Sequence, residues 1–232
     1  PESREARQRL WRTRDFREAL RYFPRKLQHE CTMLAHLAKR QGDFAGAFRR
    51  LPMKLRQLFV QAYQSYLFNR FLSQRMRQNI SLSETQTGDY VVRLDNNGLP
   101  TTPLTQVTST SIRGIKQALS RGEMRLALPI VGFKQPPSSG GVQGEIEREI
   151  LETEDVAPPD FHVKHMLEMS APGGLRTALT PIANLSIEEP IKNQANSTKR
   201  TVCLNFMLQR GSYATVLLRE FMKSTNPINA GF

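Results

Sequence analysis

Thr201–Lys223 reads TVCLNFMLQRGSYATVLLREFMK; its first half alternates, and its second half repeats every three to four residues. Val202, Leu204, Phe206 and Leu208 share one side of a strand, the period-2 pattern of a sheet with one buried face. Gly211 and Ser212 then turn the chain into a helix from Tyr213 to Lys223, with Ala214, Leu217, Leu218 and Phe221 facing inward. Upstream, Leu175–Ile187 predicts another strand, and the polar stretch Glu188–Lys199 a loop. Two strands and one helix leave open sheet edges and an uncovered face. The segment therefore reads as the completion of a sheet whose other strands lie outside these 232 residues, and the start at Pro1 without a methionine fits a fragment.

The opening third has a different texture. From Glu2 to about Gln78 the apolar residues follow helical spacing. Asp15 with Glu18 three residues on predicts a capping box, followed by a face of Phe16, Ala19, Leu20 and Phe23 that Pro24 ends. A helix over Arg25–Arg40 stops at Gln41-Gly42, Asp43 caps a short one, and a long one over Lys54–Arg77 carries a stripe of Leu55, Leu58, Phe59, Ala62, Tyr66 and Phe71. Between Ser81 and Gly141 the composition shifts to Thr, Ser, Gly, Pro and Asn. Short strands are expected at Tyr90–Val92 and Leu126–Val131, with a turn at Asn96-Asn97-Gly98 and a helix at Ile112–Leu119. Val142–Leu151 predicts a further helix, with Val142, Ile146 and Ile150 inward and Glu145, Glu149 and Glu152 toward solvent.

Charge separates the two ends of the chain. Residues 1–80 hold 18 lysines and arginines against 6 acids, and residues 81–232 hold 15 of each, so the whole net charge of +12 is N-terminal. A localised basic field attracts a polyanion, and counterion release on phosphate neutralisation makes nucleic acid the expected partner. Arg4, Arg7, Arg9, Arg12, Arg14, Arg17, Arg21 and Arg25 dominate it, with Arg14, Arg17, Arg21 and Arg25 as candidate RNA contacts, because the guanidinium fork suits phosphate and stacks on an unpaired base. A merely solvated basic helical surface is the plain alternative. No stretch approaches the ~18 apolar residues of a membrane span, and Pro1–Arg9 holds no apolar run of a secretory signal, so an intracellular, cytoplasmic protein is expected. Cys31 and Cys203 show no metal spacing and read as buried free thiols.

Few groups point to chemistry. The turn Gly211-Ser212-Tyr213 before the last helix offers backbone N–H groups to a phosphate and an aromatic ring to a base, but on residues alone an ordinary serine cap beside a core-edge tyrosine reads ahead of it. His162, His165 and Glu168 have helical metal spacing without a fourth ligand, and after Pro158-Pro159 they read as a surface turn. The glycine-rich Ser138–Gly144 lacks the lysine of a phosphate loop.

Five motifs, in order, resemble those of the TruD family of tRNA pseudouridine synthases, archaeal members especially: QAYQSYLFN at 61–69, GDYV at 88–91, LPIVGF at 128–133, GVQGEIE at 141–147 and FMLQRGSYATVLLRE at 206–220. The resemblance implies an α+β protein. Residues 1–175 would be a basic helical part with a small mixed α/β insertion domain, and residues 176–232 the C-terminal strands and helix of an antiparallel pseudouridine-synthase sheet. It implies isomerisation of a uridine in the D-stem region of tRNA (position 13) without metal or organic cofactor: the base leaves its stack, an aspartate forms a covalent adduct, and the uracil is rejoined through carbon. The family's aspartate lies in a Gly-x-Lys-Asp motif followed by Asn-Tyr-Phe-Gly. Neither string occurs here, so the nucleophile is expected N-terminal to Pro1, in a missing half of the catalytic domain, and Asp43, Asp89 and Asp160 are not put in its place. Tyr213 corresponds to the aromatic residue bordering the uridine pocket, with Gly211 and Ser212 beside it, and Gln209 stands where the family usually has proline. A non-catalytic RNA-binding module of the same descent and a scaffold for an acidic protein remain the alternatives.

Overall fold

The computed structural model describes residues 2–95, 98–136, 138–192, 200–209 and 212–226. Its elements are mixed, as expected of an α+β chain. They divide into two compact units, one of residues 1–73, 129–138 and 146–175, the other of residues 74–128, 139–145 and 176–232.

In the first unit the chain begins with four short helices, α1 (Glu2–Thr13), α2 (Phe16–Tyr22), α3 (Gln28–Lys39) and α4 (Phe44–Arg49), and enters the long α5 (Met53–Arg77). Ala6, Ala19, Phe23 and Leu34 form a core closed by Leu10, Phe16, Tyr22, Leu27 and Cys31. Asp15 caps α2 by accepting from the Glu18 N–H. The Glu18 carboxylate pairs with Arg9 rather than completing the expected capping box. Asp43 caps α4 through the Gly46 N–H and also receives His36 Nε2 at 2.8 Å. With Arg50 Nε donating to His36 Nδ1, the imidazole is held in one orientation, and the His36 hydrogen bond, ahead of that from Gly46, holds the Asp43 carboxyl below its ordinary range.

The expected stripe on α5 is corrected. Phe71 is buried as expected and Leu55 half-buried, but Leu58, Phe59, Ala62 and Tyr66 are exposed, and Arg56, Gln64, Leu67, Phe68 and Arg75 are the other buried positions. Apolar residues surround this helix, so spacing does not choose the face; polar partners do. Gln64 donates to the Val131 carbonyl at 2.6 Å, and Arg56 reaches Glu168 at 2.7 Å. Phe161 and Tyr63 stack at 6.2 Å, and Tyr63 on Tyr66 at 5.9 Å. Burial raises the Tyr63 phenol pKa above its ordinary value.

The second unit centres on β1 (Tyr90–Leu94), antiparallel to β2 (Pro100–Gln106) on one side and to β3 (Met124–Ile130) on the other; β4 (Gly174–Thr177) completes the order β2-β1-β3-β4. Helix α6 (Ile112–Ser120) sets Ile115 against Val91, Val107 and Met124. One buried ion pair organises the unit: Arg75, 1% exposed, forks onto Asp89 with both contacts at 2.8 Å. It also donates to Gln143 and to the Ser81 carbonyl, while Asp89 accepts from the Gln86 N–H and Thr85.

Gly88 has φ +97°, and a Cβ there would sit 2.3 Å from the Gly140 carbonyl carbon. The two backbones touch because Gly140 N–H donates to the Gly88 carbonyl at 2.8 Å. Gly88→Ala is therefore expected to cost at least about 2 kcal/mol, through a left-handed alanine and a clash with main chain that cannot move aside. A thermal unfolding midpoint within a degree of the parent's would contradict this reading.

Helix α7 (Gly141–Thr153) exposes Glu145, Glu149 and Glu152 as expected. Val142 is exposed too, a correction: Gln143, Ile146, Glu147 and Ile150 make the buried line, two of them polar and invisible to an apolar count. Toward the C-terminus, β5 (Ile182–Ile187) pairs antiparallel with β8 (Leu204–Leu208), and β6 (Ile191–Lys192) with β7 (Arg200–Thr201), before helix α8 (Ala214–Met222). The alternation in β8 is present, with Leu204, Phe206 and Leu208 half-buried and Asn205 and Met207 exposed. Val202 and Cys203 are exposed, as are Ala214 and Phe221 of α8, whereas the sequence put the thiol and these apolar side chains inside. Every residue of β5 is exposed. Among the described residues no helix is long and apolar enough to cross a membrane.

Candidate nucleic-acid interface

The eight arginines of the first 25 residues are not equivalent. Arg7 is committed to Glu30 at 2.5 Å, which holds that carboxyl below its ordinary range. Arg9 is committed to Glu18 and lies 4.2 Å over the Tyr22 ring. Among the described residues no acid pairs with Arg14, Arg17, Arg21 or Arg25, and all four are exposed. Arg14 closes α1 at φ 52° and lays its guanidinium 3.9 Å over Trp11, itself 70% exposed. Arg17 donates to the Ala38 carbonyl at 3.1 Å, in the last turn of α3 beside the exposed Lys39 and Arg40. Arg17 and Arg21 are four residues apart on α2, hence on one helix face. This unit thus carries exposed cations without acid partners and an exposed aromatic ring, the residue types that grip phosphates and stack on unpaired bases.

Tyr213 belongs to the second unit. It is the N-cap residue of α8, extended at φ −108° and ψ 115°, and 67% exposed. Ser212 is not the cap: it lies one residue earlier, and its N–H closes a turn onto the Gln209 carbonyl at 3.1 Å. Gln209 donates in turn to the Gly98 carbonyl at 2.7 Å, fixing a position where the motif departs from the family's proline. Gly211 lies outside the described residues, as do Asn96 and Asn97 of the expected turn.

The three aspartates set aside in the sequence are each in structural use. Asp43 caps α4, Asp89 holds Arg75, and Asp160 accepts from the Ala157 N–H at 2.7 Å to start a 3₁₀ turn at Pro158–Phe161. The His162, His165 and Glu168 segment is a pair of short turns. His162 packs 5.1 Å from the Phe133 ring, Glu168 is taken by Arg56, and no group of three metal-ligating side chains exists among the described residues.

The family model for tRNA pseudouridine synthase D (TruD) matches residues 1–221. The chain belongs to the TruD family. Its relatives include a Methanosarcina acetivorans protein named "Probable tRNA pseudouridine synthase D", 39% identical over 226 residues, spanning 96% of this chain and 50% of the relative. One of the same name from Methanopyrus kandleri is 40% identical over 227 residues, spanning 97% and 47%. A crystal structure from Methanosarcina mazei, assigned to tRNA pseudouridine synthase D, superposes with a TM-score of 0.87 at 35% identity, over 98% of this chain and 51% of that one. The chain thus spans about half the length of the relatives it matches. Two features of this TruD chain escape a reading of spacing alone: the Trp11–Arg14 stack and the Arg75–Asp89 pair. Both join residues through geometry rather than through a motif.

Proposed function

We propose that this TruD chain is the C-terminal part of an enzyme that isomerises a uridine of tRNA to pseudouridine in the cytoplasm. Residues 1–175 would form most of its insertion domain, and residues 176–232 the end of its catalytic domain. The observation that carries the reading is Tyr213, two-thirds exposed at the head of α8, in the same unit as a β5 exposed along its whole length. An open β5 beside an exposed Tyr213 fits a sheet completed by further polypeptide, and Tyr213 would then form one wall of the site. The rest of the wall, and the aspartate that attacks the flipped base, would come from polypeptide beyond these residues. Arg14, Arg17, Arg21 and Arg25 would bind tRNA phosphates. A non-catalytic RNA-binding module draws support from the structural use of Asp43, Asp89 and Asp160, and the same assay separates the two.

The gene product at the length of its relatives, given unmodified tRNA, is expected to form pseudouridine. Tyr213→Ala in that protein is expected to lower turnover at least about tenfold, with Tyr213→Phe retaining most of it, since a ring face rather than a hydroxyl does the stacking. No pseudouridine from a folded protein that carries a Gly-x-Lys-Asp segment would overturn the enzymatic reading and leave the binding module.

A further inference from the structure

The chain has one tryptophan, Trp11, and sets it 70% exposed on α1. Packing does not hold it there. Ala6 and Leu10, four residues apart, turn α1 toward the core, and Trp11 stands about 100° round the helix from Leu10, in a helix that reads ESREARQRLWRT. One face of the indole is taken, because the Arg14 guanidinium lies 3.9 Å over the ring. With the residue still 70% exposed, the opposite face is open to solvent. Arg14 is the left-handed residue that closes α1, at φ 52°, with its N–H on the Leu10 carbonyl at 2.8 Å, so the helix end anchors the base of this side chain.

A cation on one face of an indole and a free opposite face make a platform for a further flat group. The guanidinium spends its face on the ring while its N–H donors point outward in its own plane, so the same Arg14 can hold a phosphate next to a stacked base. The surroundings select nucleic acid over protein. Residues 1–80 carry the whole net charge of +12, and Arg14, Arg17 and Arg21 pair with no acid among the described residues. The centre of a protein interface is depleted of such charge. Inside a duplex both faces of a base are covered by its neighbours, so only an unpaired base offers a face to the indole. We propose that Trp11, backed by Arg14, is a stacking platform for one unpaired base of a bound RNA. This rests on the reading that the unit binds RNA, and it adds to phosphate contact a means of telling single-stranded from paired segments.

Because Trp11 is the sole tryptophan, intrinsic emission from the 232-residue chain reports on it alone. Filter binding of a radiolabelled oligoribonucleotide, single-stranded or annealed to its complement, reads affinity in parallel. Saturating single strand is expected to quench the emission by at least about half, and the duplex to leave it nearly unchanged. Trp11→Ala should weaken single-strand binding at least about fivefold and duplex binding less than about twofold, with Trp11→Phe between parent and alanine. The salt slope should not move, since no phosphate contact is lost. Single-strand binding with unchanged emission and an unaffected alanine variant overturns the platform and leaves RNA binding standing. Equal losses on single strand and duplex overturn it as well. No binding of either RNA sinks the RNA reading and the platform with it. In the gene product at the length of its relatives, a Trp11 emission, taken as parent minus Trp11→Phe, that is blue-shifted before RNA is added means that protein covers the indole, which also overturns the proposal.

Discussion

Asp89→Ala is expected to cost about 3–5 kcal/mol of stability, because it leaves the Arg75 guanidinium charged and unpaired in the interior. The side chains are 1% and 2% exposed, so solvent does not reach in to replace the missing carboxylate. Asp89 also accepts from Thr85 and the Gln86 N–H, so its removal releases the turn leading into β1. Arg75→Met combined with Asp89→Leu is expected to recover only the part of the loss due to the orphaned ion, since the Gln86 N–H, Thr85 and the Ser81 carbonyl still lose their partners. Urea unfolding of the two single variants and the double variant forms the cycle. A loss below about 1 kcal/mol for Asp89→Ala would mean that water enters the site and that the fork does not organise this unit.

Reversing two arginines, Arg21→Glu with Arg25→Glu, is expected to weaken tRNA binding on the order of 100-fold at moderate salt and to lower the salt slope by about two, one unit for each phosphate that the protein no longer neutralises. Neither side chain has an acid partner among the described residues, so reversal acts on the ligand and leaves no internal pair broken. Arg7→Gln is the informative control. That arginine already spends its charge on Glu30, and neutralising it is expected to change affinity by less than about threefold. Filter binding across a salt series reads all three proteins. Equal losses at Arg7 and at Arg21 with Arg25 would show that only net charge matters, and an unchanged affinity would favour an acidic protein as the partner.

Local signals were legible in the sequence because local physics decides them. Asp15 and Asp43 announce helix starts by offering an oxygen to backbone donors three residues on, and both do so. The ordered motifs carried the family, and the alternation of β8 carried the strand. The face of α5 was not legible, because Gln64 and Arg75 point inward only where the Val131 carbonyl and Asp89 await them, 67 and 14 residues away. The same holds for α7, where Gln143 and Glu147 take positions that an apolar count gives to Val142. Burial at the C-terminus was overestimated for another reason. Alternation tells which side of a strand is apolar; it does not tell whether anything covers that side, and here Ala214, Phe221 and all of β5 are open.

The hydrogen bond from the Gln209 amide to the Gly98 carbonyl ties the segment after β8 to the residue that leads into β2. Loop tips usually accept insertions and deletions without penalty. An insertion that shifts the Gly98 carbonyl would instead release Gln209, so a change at residue 98 would be felt beside the turn that Ser212 closes, more than a hundred residues downstream.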